Sequence, residues 1–296
     1  MSQHRAPHWH GYNPAEMRPL PPLIRWNRSS TILLSGFFLV ILLIVYVWWP
    51  LAEELLSYVD WRGPWWSYMD WLLIGIFVFM SLTIVARADL RHDGLILFVA
   101  SVGGLVIEAW GTQTNLWFYY TSERPPLWIV PAWPIATLSI DRITRAMMWL
   151  NTKGTKGLEG EASEVREQTP LGWRFAYWLV FGLFLAIMLF FVAPTFNKTA
   201  TMCAFLLCVV LILTPPDHRQ TLFVFGAGVG LGYFLELWGT TRECWTYYTY
   251  QTPPLFAVLA HGMAAVAFWR TGLWLRATAR QLAMLFKVAS LPEKEA

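Results

Sequence analysis

The chain has 296 residues, of which 56% are apolar, 17% aromatic and only 14% charged, and 19 are Trp. Soluble domains carry roughly 25% charged residues, so disorder, collagen-like repeats and a disulfide-stapled secreted module are excluded. The net charge of +3 is small and spread over helix boundaries, which argues against a nucleic-acid partner.

The first 29 residues are polar and Pro-rich. They lack the compact apolar core and small-residue cleavage site of a signal peptide, and read as a cytoplasmic tail (1–29). Eight apolar runs follow, near residues 30–49, 66–86, 94–110, 126–146, 174–193, 199–214, 221–239 and 254–275. Each approaches the roughly 20 helical residues that cross a hydrocarbon layer about 30 Å thick. The runs are continuous and not alternating, which excludes a transmembrane barrel. The expected fold class is an all-α integral membrane protein of eight transmembrane helices with both termini cytoplasmic. In that orientation only Arg62, Arg124, Lys198 and Arg242 of the 22 Lys and Arg fall outside, a strong positive-inside bias. The expected location is the plasma membrane, of the bacterial inner-membrane type.

An internal repeat organises the chain. Residues 89–142 align without a gap on residues 217–270, so Asp89 matches Asp217 and Arg142 matches Arg270. The core reads EAWGTQTNLWFYYTSERPPLW in one copy and ELWGTTRECWTYYTYQTPPLF in the other. Two four-helix repeats are expected, at 30–150 and 171–278, joined by a cytoplasmic linker (151–170) and followed by a tail (279–296). An even number of helices per half makes the repeats parallel, related by an axis along the membrane normal. In each, a third helix is expected to end at Gly111 or Gly239, where a left-handed residue would close it. An aromatic Trp-x-Tyr-Tyr segment follows at headgroup depth, and Pro-Pro opens the fourth helix.

Glu108 and Glu236 sit about one turn inside the outer end of these helices. Ionisable groups within a span are rare and face the interior or a cavity. Two readings lead, with ion conduction the remainder: a general acid or ligand grip, or a hydrogen bond to the facing Tyr or Thr that locks the hairpin cap. Trp110, Trp117, Tyr119, Tyr120, Trp128, Trp133, Trp238, Trp245, Tyr247 and Tyr248 equally suit the lining of a cavity for a long apolar ligand or an interfacial belt with helix packing. The copies diverge further on. Trp133 corresponds to His261, the only histidine inside a predicted span, which reads as an interior residue before a haem or chlorophyll ligand. A division of labour between the halves follows.

Other signals are weaker. Asp89/Arg91 and Asp217/Arg219 read as structural clasps. His4, His8 and His10 in the tail have only loose metal-binding spacing, and Cys203, Cys208 and Cys244 suggest no disulfide or thiolate metal site. No phosphate loop, Asp-rich prenyl-diphosphate motif, haem attachment site or nucleophile elbow is present.

The string Glu-x-x-Gly-Thr-x-Thr-x-x-Trp-x-Tyr-Tyr, with the following Pro-Pro-Leu-Trp-x-x-Pro-x-Trp (Glu108 to Trp133), is similar to a pattern in the membrane-bound carotenoid hydratases. It repeats imperfectly at Glu236 to His261. The resemblance implies water addition to a terminal isoprenoid double bond, with Glu108 or Glu236 as proton donor, aromatic faces shielding the carbocation, and no cofactor. Glu108 lies in the half closer to that pattern. The ligands it implies are membrane lipids, isoprenoids or carotenoids. The competing classes are a non-catalytic subunit docked to partner subunits of a respiratory or photosynthetic complex, and a small transporter.

Overall fold

The computed structural model describes residues 26–156 and 170–289. His4, His8, His10 and most of the linker lie outside them. The described residues are almost wholly helical: α1 (Arg28–Val47), α2 (Trp49–Ser57), α3 (Trp71–Val85), α4 (Leu90–Gln113), α5 (Ala132–Lys156), α6 (Leu171–Val192), α7 (Thr199–Leu213), α8 (His218–Thr241) and α9 (Leu255–Ala289). Among them, α1, α4, α6 continued through Thr195, α8 and α9 are long and apolar enough to cross a membrane, while α3 and α7 are shorter apolar helices. This is the architecture of a helical integral membrane protein. Large apolar side chains such as Leu39, Phe175 and Phe190 stand on the outside, as a surrounding hydrocarbon allows.

The helix starts are set by local chemistry. Asn27 caps α1 in a reciprocal box with Ser30, and Asp70, Asp89 and Asp217 cap α3, α4 and α8 through their carboxylates. A cap oxygen meets an amide that has no partner in the first turn. Asp89 and Asp217 are therefore caps, and the ion pairs at this end of the first half are Arg142 to Asp93 at 2.7 Å, Arg142 to Asp141 at 2.6 Å and Arg145 to Asp141 at 2.9 Å.

Each of the eight apolar runs overlaps a helix, but α3 and α7 have only 15 residues each, α5 is not among the helices apolar enough to cross a membrane, and other details differ from expectation. Pro125 and Pro126 stand in a turn, and α5 begins only at Ala132; in the other copy α9 starts directly after Pro254, at Leu255. The nine-residue α2 has no counterpart between α6 and α7, where a three-residue 3-10 turn at Ala193–Thr195 is all that matches the 3-10 turn at Trp65–Tyr68. Gly111 and Gly239 are not left-handed closures, since no described glycine has a positive φ. The left-handed residues come later, at Asn115 (φ 62°) and Glu243 (φ 56°). The glycines are required by close approach instead: a Cβ would lie 1.9 Å from the Trp117 ring at Gly111 and 2.0 Å from the Trp245 ring at Gly239.

The chain after α4 and after α8 forms two short strands, β1 (Trp117–Tyr119) and β2 (Trp245–Tyr247), which pair antiparallel. The register is reciprocal: Trp117 opposes Tyr247, Phe118 opposes Thr246, and Tyr119 opposes Trp245. The flanking bonds follow the same rule, Tyr120 N donating to Cys244 O at 3.3 Å and Tyr248 N to Leu116 O at 3.1 Å. A residue and its partner exchange places under the sequence repeat, which is what a local two-fold between the strands requires. Helix packing follows that relation in part. α4 packs on α9 as α8 packs on α5. The break concerns α3 and its counterpart α7. α3 packs along α8, where Asp70 accepts from Trp238 Nε1 at 2.8 Å and Arg242 Nε at 3.0 Å. α7 lacks comparable packing along α4, and Trp110 Nε1 reaches it by a 3.1 Å bond to Thr201.

Candidate functional site

The alternation of side chains along a strand decides what the two-stranded cap does. Phe118 is turned outward, whereas Trp117, Tyr119, Trp245 and Tyr247 turn inward onto two buried carboxylates. Glu108 Oε2 accepts from Trp117 Nε1 at 3.1 Å and from Tyr119 Oη at 3.0 Å, and Oε1 accepts from Trp133 Nε1 at 3.0 Å. Glu236 repeats the pattern: Oε2 accepts from Trp245 Nε1 at 2.9 Å, and Oε1 accepts from Tyr247 Oη at 2.9 Å and lies 2.9 Å from His261 Nε2. Each carboxylate is thus held by one indole and one phenol from its strand and one ring nitrogen from the following helix.

Indole nitrogens only donate. Glu108 therefore accepts at both oxygens, and among its three ring partners only Tyr119 can also receive a proton. Glu236 has two such neighbours, Tyr247 and His261. No described Lys or Arg pairs with either carboxylate, and the basic ring nitrogen nearest to one is His261 Nε2, 2.9 Å from Glu236 Oε1.

Small residues let the rings approach the helices. A Cβ on Gly104 would lie 2.4 Å from Trp133, and a Cβ on Gly232 would lie 2.4 Å from His261. Trp133 and His261 stack with ring centroids 5.5 Å apart and planes 20° apart, so the third partners of the two carboxylates meet face to face between the halves.

Where α7 stands off from α4, a cavity of about 570 Å³ opens, within the roughly 300–1,000 Å³ of small-molecule sites. Val106, Trp110, Ala204, Leu207, Met263 and Ala264 are among its walls, and Glu108, Glu236 and His261 are its carboxylate and imidazole members. Several wall residues, including Val106 and Leu207, are exposed on the flank of the bundle, so the cavity opens sideways. Of the residues singled out by sequence, Glu108, Trp110, Trp117, Tyr119, Trp133, Glu236, Trp245, Tyr247 and His261 border it. Tyr120, Trp128, Trp238 and Tyr248 do not. Tyr120 Oη bonds the Val47 carbonyl, Tyr248 Oη bonds the Phe191 carbonyl at 2.6 Å, and Trp128 and Trp238 both pack on Trp48. Those four knit the cap to α1, α6 and the Asp70 corner.

Sequence reading missed the α7 contribution: Cys203, Ala204, Leu207 and Cys208 line the cavity without any motif. Among the described residues no group of three or more His, Cys, Asp and Glu could hold a metal ion. The fold and site define a helical membrane protein with paired, donor-caged carboxylates beside a lateral apolar cavity. No protein-family model, curated protein or solved structure matches the chain.

Proposed function

We propose that this chain is a polytopic membrane protein that takes a long apolar ligand into the cavity between α4 and α7, near its outer face. The carrying observation is the cavity itself, apolar along its walls, open toward the flank, and bordered by Glu108, Glu236 and His261. Within this reading the chemistry is that implied by the hydratase resemblance. A carboxylic acid protonates the less substituted carbon of a terminal isoprenoid double bond, water adds to the tertiary cation left on the dimethyl carbon, and the carboxylate takes back a proton. Aromatic faces at the site, Trp133, Trp117 and Trp245, suit a passing cation.

Filling the cavity tests the binding step. In Ala204→Trp, an indole grows from the α7 wall into the space, and isoprenoid or carotenoid that co-purifies with the parent chain should fall at least about fivefold, as read by solvent extraction and mass spectrometry. The estimate follows from the loss of apolar contact on a site of this size. Equal amounts in parent and variant, or none in the parent, would remove the reading.

The same proposal includes eight spans, with the shorter α3 and α7 crossing beside the longer helices, parallel halves and cytoplasmic termini. The reciprocal register of β1 and β2 and the positive-inside bias support it. Single cysteines at Ser122 and Gln251, in a background without Cys203, Cys208 and Cys244, should react with an impermeant thiol reagent in intact cells. One at Lys153 should react only after lysis. Reaction at Lys153 in intact cells would reverse the orientation. Cys244 is removed for completeness, since burial pushes its thiol pKa up to about 12, and a thiol of that kind is a poor nucleophile.

A further inference from the structure

Trp133 and His261 do the same job for their two carboxylates, yet they differ in one respect. An indole carries one nitrogen, and Trp133 spends it on Glu108 Oε1. An imidazole carries two, and His261 spends Nε2 on Glu236 Oε1. Because the facing oxygen is a carboxylate that also accepts from Tyr247, the proton of a neutral ring belongs on Nε2, which leaves Nδ1 with a free lone pair. Nδ1 has no hydrogen-bond partner among the described residues, and His261 borders the cavity. The Cδ2 edge of the ring lies toward Gly232 of α8, and one face stacks toward Trp133. The Nδ1 edge is therefore the one turned away from α8.

The surrounding chemistry narrows what can meet it. A bare hydrocarbon would leave the lone pair buried and unmatched, at a cost. A carboxylate or phosphate head would be buried beside Glu108 and Glu236 with no described Lys or Arg on the cavity wall to offset its charge. An ammonium head gains little new bonding, because all four carboxylate oxygens already accept hydrogen bonds. A neutral hydroxyl satisfies every condition: it donates once and adds no charge. We propose that His261 Nδ1 is the head-group acceptor of the cavity, and that the ligand is a long-chain alcohol of isoprenoid type whose hydroxyl donates to it. This rests on the cavity reading above and adds the class of head group. The carboxylate behind the ring strengthens Nδ1 as an acceptor, as carboxylates do for oriented imidazoles generally.

The test uses the full chain in phosphatidylcholine nanodiscs, with radiolabelled geranylgeraniol as probe and competitors of equal chain length ending in hydrogen, hydroxyl, amine or carboxylate. The alcohol should displace the probe about tenfold better than the hydrocarbon, the ratio expected when one hydrogen bond separates them. In His261→Trp the indole can still donate to Glu236, as Trp133 does to Glu108, but no acceptor faces the cavity. That preference should shrink to about twofold or less while hydrocarbon still binds. A chain that binds no probe removes the cavity reading itself. Equal displacement by alcohol and hydrocarbon, a preference for the amine or acid, or an unchanged preference in a folded His261→Trp overturns the head-group assignment alone. Should that variant fail to fold, an alcohol carrying a photoreactive diazirine beside the hydroxyl decides the matter in the parent chain. Crosslinks should centre on the α9 segment around His261, and labelling confined to other segments would overturn the assignment.

Discussion

Glu108→Leu should lower the unfolding free energy by about 3–5 kcal/mol, because it strips two buried donors and one half-buried donor of their acceptor and each orphaned group costs about 1–3 kcal/mol. Trp117 and Trp133 cannot respond by changing role, since indole nitrogens only donate. Glu108→Gln should fall between, at about 1–3 kcal/mol. It retains one acceptor oxygen but turns an amide toward an N–H wherever it is placed. Tyr119→Phe, which removes a donor and leaves Glu108 two others, should cost about 1 kcal/mol. The second half should be more forgiving. In Glu236→Leu the imidazole of His261 can move its proton to Nδ1, so two donors and not three lose their partner. Unfolding in detergent, followed by heat or denaturant, gives the order directly. If Glu108→Leu matches the parent, or Glu236→Leu proves the costlier, the cage is not what holds the cap.

The second large effect concerns the opposite end of the bundle. Arg142 is 6% exposed and Asp93 1% exposed at their side chains, and they lie 2.7 Å apart. Arg142 also bonds Asp141 at 2.6 Å and the Ala86 carbonyl at 2.9 Å. Arg142→Met leaves Asp93 buried without its counter-charge, a change that costs about 3–5 kcal/mol. The other half solves the same position without a carboxylate. Arg270 bonds the Leu211 carbonyl and Thr214 at 3.2 Å each, and Thr221 stands where Asp93 does. Two outcomes follow. Arg270→Met should cost less, about 1–2 kcal/mol, and Asp93→Thr added to Arg142→Met should restore at least half of the loss. A double variant as unstable as Arg142→Met alone would mean that the arginine acts by packing and not by charge.

These contrasts show what could be read in advance. The helices were legible because apolar runs bounded by Asp, Asn, Pro and charge have few other solutions. The pairing of Glu108 with Tyr119, and of Glu236 with Tyr247, was one of two readings of the repeat, and the hydrogen bonds are present. Three things were not legible. The glycines at 111 and 239 resembled helix closures, yet they make room for indoles, and sequence does not distinguish these needs. The pairing of Trp117 with Tyr247 joins residues far apart in the chain over only three residues per strand, too short for an alternating pattern to register. The cavity arises because α7 stands off from α4 while α3 lies along α8, a difference traceable to Asp70 in one half and Lys198 in the other. Asp70 can accept from Trp238 and Arg242; a lysine at the corresponding place has nothing to offer Trp110. Asp70 and Lys198 stand at the same cap position before α3 and α7, outside the aligned copies, so the difference acquires its meaning only when the partners are known.

The shared sheet has a consequence for how the protein is made. β1 leaves the ribosome with Glu108 and all three of its ring partners, so the first carboxylate can be caged within its own half. Its strand edge cannot be. The pairing residues of β2 follow roughly 130 residues later, which at about 5–20 residues per second amounts to roughly 6–26 s of synthesis. For that interval the first half must hold an unpaired aromatic edge, where any other extended chain could dock. A ribosome stalled between Tyr119 and Trp245 would therefore leave a nascent chain whose strand edge is open to the wrong partner, while the same chain released after Tyr247 can close on itself.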